Sequence, residues 1–228
     1  MEMRCLRIVL ILFFTFLSFY GVAQEDMLTQ IEVDWKYKSN SESRWSSSLG
    51  SIYRSSFYSS ERFDYSTEFL ELNASQKYSI KSNHSVSLTF RYRIRELFDS
   101  NRTDERRIVQ QYNHSHNLNG VILKGRLRVE QRFREKFTLR NRYRFGVSFP
   151  LNKTDDSLKE WLLTIDTEVL WSITSNKSPV FDQRSTVVLQ KSISKMLTFK
   201  LKPEYRYLDY THDAHDLWRI YAILSVSL

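Results

Sequence analysis

From Thr29 onward, apolar and polar residues alternate one by one, the period at which successive side chains fall on opposite faces of a strand. Ser85 to Arg95 sets Val86, Leu88, Phe90, Tyr92 and Ile94 against Ser85, Ser87, Thr89, Arg91, Arg93 and Arg95. Residues 124–133 set Leu127, Val129 and Phe133 against Arg126, Arg128, Glu130 and Arg132. Residues 137–149 set Leu139, Tyr143, Phe145 and Val147 against Arg140, Arg142 and Arg144. Segments 29–37, 161–171, 197–207 and 218–228 behave alike, and less regular stretches lie near 45–54, 62–73, 104–114 and 183–192. About eleven strands follow, joined by polar links at 96–104, 150–160, 173–181 and 208–216 and by tight ones at 134–136 and 193–195. Short links of this kind suit antiparallel hairpins.

Alternation fits either a soluble sandwich, apolar face inward, or a transmembrane barrel, apolar face outward. Segments of 10 to 13 residues favour the barrel: an average strand has about 5–6 residues, a membrane-spanning one about 9–11. Trp161 and Trp171 share a face ten residues apart. At about 3.3 Å per residue and a tilt of about 45°, they stand about 24 Å apart along the membrane normal, close to the height of a barrel's apolar band. Trp35 and Trp218 join them as expected interface aromatics. The alternation also continues to Leu228, as a closing strand would. The expected fold is therefore all-β, an antiparallel transmembrane barrel of about 10–12 strands over residues 24–228. Because single-chain bacterial barrels usually have an even number of strands, ten or twelve is preferred to eleven.

Residues 1–23 read differently. Arg4 and Arg7 precede an apolar run from Ile8 to Tyr20, and Gly21-Val22-Ala23 supplies small residues before Gln24. This is the layout of a secretory signal peptide cleaved after Ala23. The only cysteine, Cys5, lies ahead of that run, so no disulfide framework is available. Gly and Pro number 5 and 3, against about 16 and about 11 for an average chain of this length. With 14% aromatic residues, the composition excludes collagen-like, low-complexity and disordered chains.

Glu105-Arg106-Arg107 with Gln110-Gln111, then Arg126-Leu127-Arg128-Val129-Glu130-Gln131-Arg132, then Arg140-Asn141-Arg142-Tyr143-Arg144, resemble the core of domain-of-unknown-function family 2490 (DUF2490). Phe181-Asp182-Gln183-Arg184 resembles a later element of the same pattern. Val129 stands where the family typically has Leu, which keeps the outward apolar position. The resemblance implies a Gram-negative outer-membrane barrel and brings no activity with it.

With the apolar stripes outward, the inner face over seven segments carries a cation surplus of eight. Its expected lumen-lining cations are Arg91, Arg93, Arg95, Arg126, Arg128, Arg132, Arg140, Arg142, Arg144 and Arg206, with acidic partners Glu130, Asp166, Glu168 and Glu204. Unpaired buried guanidinium is costly, so such a lumen must be hydrated, internally paired or occupied by anions. A small anion-selective channel and a barrel filled by its own Arg and Glu side chains both satisfy this requirement.

A lipid- or lipopolysaccharide-modifying enzyme is the alternative from another class. His114-Ser115-His116 and the 212–216 stretch (His212, Asp213, His215, Asp216) are its only candidate clusters, and spacing alone makes neither a catalytic nor a metal site. No catalytic residue, metal or cofactor is assigned. The basic pI of about 9.5 raises nucleic acid as a partner, but the cations alternate within strands of an exported chain, so none is expected. The expected partners are the bilayer with its lipopolysaccharide, the barrel-assembly machinery during insertion, and small anionic solutes.

Overall fold

The alternating stripes form the strands of one closed sheet. The computed structural model describes residues 25–37, 43–59, 62–95, 103–152 and 160–228. The expected leader at 1–23 and its cleavage site lie outside the described residues. Among these, eleven strands occur and no helix: β1 (Glu25–Tyr37), β2 (Trp45–Ser59), β3 (Arg62–Lys81), β4 (His84–Arg95), β5 (Glu105–Leu118), β6 (Val121–Phe133), β7 (Thr138–Pro150), β8 (Trp161–Thr174), β9 (Val180–Ser192), β10 (Leu197–Leu208) and β11 (His215–Ser227).

Each strand pairs antiparallel with its neighbours in sequence, and β1 pairs with β11 to close the barrel. That closing pair is parallel, from Glu25↔Trp218 to Asp34↔Ser227. Two expectations are thereby corrected: the strand number is odd, and the sheet is mixed. The reason is geometric, because in an up-and-down ring of eleven strands the first and last run the same way. They can meet only in parallel, which is slightly less favourable per residue than antiparallel pairing. Side chains reinforce the seam. Arg219 Nε donates to Asp26 Oδ2 at 3.1 Å, and Ser225 Oγ donates to Glu32 Oε2 at 2.8 Å. Inside the seam Leu28, Tyr221 and Ile223 form a small buried apolar cluster.

Odd parity also puts the start of β1 and the end of β11 at opposite rims. We call the rim where β1 begins the lower rim and the rim where β1 ends the upper rim; β11 runs from lower to upper. The upper-rim link between β5 and β6 is the two-residue turn Asn119-Gly120, with φ of 51° and 91°. Positive φ at both central residues gives the turn the twist of the flanking strands, and Asn-Gly adopts it readily.

Burial is inverted relative to a soluble protein. Leu72, Phe90, Leu127 and Ile165 are 49%, 55%, 50% and 49% exposed, while Glu71, Glu105, Glu130, Glu168 and Glu204 are at most 2% exposed. Acidic residues are almost never fully buried unless paired, so the interior must supply their partners. A sandwich with a dry apolar centre is excluded by this orientation.

Candidate functional site in the barrel lumen

Inward residues of neighbouring strands sit opposite one another, so the register decides which charges meet. On β6 and β7, Arg126, Arg128 and Glu130 face Arg144, Arg142 and Arg140. On β7 and β8, Arg144 faces Glu168. Like charges directly opposite repel, and the arginines escape this by reaching along the barrel to carboxylates elsewhere. Arg142 spans two strands, donating from Nη1 to Glu130 and from Nη2 to Glu168, both at 2.7 Å. Glu168 also receives Arg126 at 2.6 Å and Arg144 at 3.0 Å.

The other buried carboxylates are used in the same way. Glu71 accepts from Arg91 at 3.2 Å and from Arg93 at 2.6 Å. Glu105 accepts from Arg107 at 2.6 Å and from Arg132, with Arg95 at 3.5 Å. Glu204 pairs with Lys202 at 3.0 Å and Arg206 at 2.5 Å, and Arg206 also donates to the Tyr221 hydroxyl at 2.7 Å. Arg128 donates to Gln111 and lies 3.3 Å from Glu130. Asp166 lies 3.4 Å from Arg144. Charge-assisted pairs of this kind are about twice as strong as neutral hydrogen bonds. Breaking a buried one by removing a single partner costs about 3–5 kcal/mol.

Two chambers flank this ionic belt. The lower one, about 600 Å³, is lined by thirteen cations and five carboxylates, a surplus of eight. Phe69 stiffens it: the Arg93 guanidinium lies 3.6 Å and that of Arg54 4.7 Å from its ring centroid. The upper chamber, about 800 Å³, is lined largely by serines and includes Lys77, Lys124 and Asn113. Six cations and one carboxylate, Asp166, face it, and Arg144 borders both chambers.

All ten expected lumenal arginines and the four expected acidic partners thus lie on the inner face, within this network or beside it. Of the ten arginines, Arg140 alone meets no carboxylate within ion-pair distance among the described residues; its Nε donates to Ser172 Oγ at 2.8 Å. Trp35 and Trp161 stand outward near the upper rim, and Trp171 and Trp218 near the lower rim. Further ring pairs join the rims: Trp45–Tyr78 above, and Tyr205–Trp218 and Trp171–Phe181 below.

Sequence reasoning missed Glu71, Glu105, Arg107, Arg184 and Arg219 as members of the network. Glu71, Glu105, Arg107 and Arg184 belong to the less regular stretches, where alternation with Leu72, Ile108 and Val187 was the available signal. The histidine clusters are not part of the network. His114 is opposite His84 near the upper rim, and its ring lies so close to Gly125 that an added Cβ would stand 2.0 Å from Cε1. His212 meets both Asp209 and Thr211 through the same nitrogen, Nδ1. A relay from carboxylate to hydroxyl needs both ring nitrogens, so this arrangement does not build one.

A family model described as "Protein of unknown function (DUF2490)" matches residues 26–216. No curated protein and no solved structure matches the chain.

Proposed function

Because the chain belongs to the DUF2490 family, whose description names no activity, we propose its function from the chemistry of the barrel: an outer-membrane channel that admits small anions through a cationic lumen. The apolar outer surface supports insertion in lipid, where open sheet edges and unpaired backbone groups cost several kcal/mol each and a closed ring has none. Tryptophan and tyrosine at both rims support the same placement, since amphipathic rings settle at membrane interfaces.

The observation that carries the reading is the surplus of eight cations among the residues lining the lower chamber, six once Glu105 and Glu168, which hold five of those arginines from behind, are counted. A water-filled space lined by one sign of charge between low-dielectric walls concentrates the opposite sign. At the lower rim, a cleft lined by Arg95, Arg134, Lys136 and Lys177 with a single acid, Glu135, leads anions toward it.

Reconstitution in planar bilayers tests the channel. A salt gradient should give a reversal potential on the anion side, and replacing Arg140 and Arg142 by Gln should move it toward zero. A detergent-extracted, heat-modifiable protein that gives no conductance would instead support a closed structural barrel. The belt formed by Arg142, Glu130 and Glu168 across the lumen favours that second reading.

A further inference from the structure

The carboxylates of the arginine chamber are already engaged. Each of the five buried glutamates holds at least two cations: Glu71 has Arg91 and Arg93, Glu105 has Arg107 and Arg132, Glu130 has Arg128 and Arg142. Glu168 has Arg126, Arg142 and Arg144, and Glu204 has Lys202 and Arg206. Two guanidiniums are left over. Arg140 has only the hydroxyl of Ser172. The Arg184 side chain, among the described residues, makes no hydrogen bond and no ion pair, and its Nε is buried without a partner. A buried donor with nothing to donate to is costly, and Arg184 Nε is one, while half-buried Arg140 in the same chamber has a neutral hydroxyl and, among the described residues, no ion pair.

They also converge. Arg140 on β7 and Arg184 on β9 flank β8, where Ser172 and Glu168 are their respective register partners. Leu170 faces inward between them and is fully buried. Arg140 lies within electrostatic reach of Arg132, Arg142 and Arg184 and of Glu130, and Arg184 within reach of Arg206 and Arg142 and of Glu204 and Glu168. Positive groups held this close, when each of the five buried glutamates already holds two or more other cations, mark where a mobile anion is favoured. The planar fork of guanidinium matches the paired oxygens of phosphate or carboxylate and is wasted on a spherical ion.

We infer that Arg140 and Arg184 are the two arms of a binding site, inside the arginine chamber, for a multiply charged phosphate-type oxoanion: inorganic phosphate, pyrophosphate or a phosphomonoester. The site deepens the channel reading by naming the anion it takes, and it rests on that reading for its access from solution. Arg184 supplies Nε and both terminal nitrogens, and Arg140 supplies the terminal nitrogens that Ser172 leaves free. The chamber, at about 600 Å³, holds a phosphate with part of its water, or a small phosphorylated solute. The site faces the lumen, so its ligand arrives dissolved in water and not as a lipid headgroup.

The test uses the full chain in detergent micelles, with pyrophosphate as probe and chloride at matched ionic strength as reference. Thermal unfolding is followed by heat-modifiable migration, and affinity by titration calorimetry. The wild type should show a saturable rise in Tm with pyrophosphate and none with chloride. Arg184→Gln and Arg140→Gln should each weaken binding by about tenfold or more while raising the Tm of the ligand-free protein, because an uncompensated buried cation is gone. Lys191→Gln, on the outer face beside Trp161, should change neither. An arginine that merely supports the fold would lower the ligand-free Tm and leave the pyrophosphate shift intact, and that result overturns the site. So does a wild type that ignores pyrophosphate. Should the Gln variants not fold, Arg184→Lys retains charge without the fork, and undiminished binding by it would overturn the proposal. Binding without bilayer conductance would remove the channel and keep the site; conductance without binding would do the reverse.

Discussion

The two halves of the lumen share one sheet and one closure, yet they are filled in opposite ways. In the lower half, long forked arginines interlock with buried glutamates and with the Phe69 ring, so the protein supplies its own counter-ions. In the upper half, Ser48, Ser75, Ser85 and Ser87 project a single hydroxyl each, Lys77 and Lys124 are exposed, and among the residues lining the cavity only Asp166 is acidic. A barrel of fixed circumference leaves a fixed interior; side-chain length then decides whether that interior becomes framework or water. The lower half holds a geometry, whereas the short side chains of the upper half leave an open cavity of about 800 Å³.

Odd parity turns the contrast into a matter of sidedness. β1 starts at the arginine mouth and β11 ends at the serine mouth, so a barrel that crosses a membrane puts its two termini on opposite sides. An epitope inserted ahead of Glu25 and another after Leu228 should show an all-or-none difference in intact cells: protease reaches one and not the other. The tag that is cleaved names the mouth facing outward. Cleavage of both, or of neither, would mean that the ring is not closed by the parallel pair.

The next effect in size separates framework from mouth by stability. Glu168→Gln leaves Arg126, Arg142 and Arg144 without their shared charge, and the unfolding free energy in detergent should fall by about 3–5 kcal/mol. Ser75→Ala removes only the hydroxyl contact with Thr89 at 2.9 Å, and the loss should be about 0.5–1.5 kcal/mol. Equal losses would mean that the ionic belt is no framework.

Which parts of this were legible in the sequence follows from the same contrast. The stripes on β4, β6, β7 and β8 are regular because each residue there faces either the apolar exterior or the charged interior, and the two demands exclude each other. On β2 the pairing slips between Arg54 and Ser55 and again between Ser56 and Tyr58, and each slip shifts the period by one. That region hid Arg54, Phe69 and Glu71 from a count of alternating residues. β3 runs to Lys81, beyond the stretch near 62–73 suggested by pattern, because at the serine mouth its inward Asn73, Ser75 and Lys77 alternate with Ala74 and Gln76 and so give little contrast. Closure was legible in the stripe that continues to Leu228, but its parallel direction was not. Local alternation reports eleven strands, a number that the even-strand rule disfavours, whereas the parallel seam is a property of two strands about 190 residues apart that local periodicity does not report.

Under the proposed channel function, the smallest predicted effect tests whether the serine mouth attracts anions. Lys77 and Lys124 are exposed, so their field should be screened by salt, while the guanidiniums of the lower chamber sit among buried carboxylates, where screening by bulk salt is weaker. The Debye length is about 30 Å at 0.01 M and about 3 Å at 1 M. An exposed charge acts with about 1 kcal/mol at 4 Å in bulk water. Replacing both lysines by Gln should therefore lower single-channel anion conductance by about two- to fivefold at 0.01 M salt, with almost no change at 1 M. Replacing Arg140 and Arg184 should alter conductance at both salt concentrations, because partly buried charges are screened much less than exposed ones. If the lysine variant keeps its deficit at 1 M, the two halves work as one continuous site and the division between mouth and framework fails.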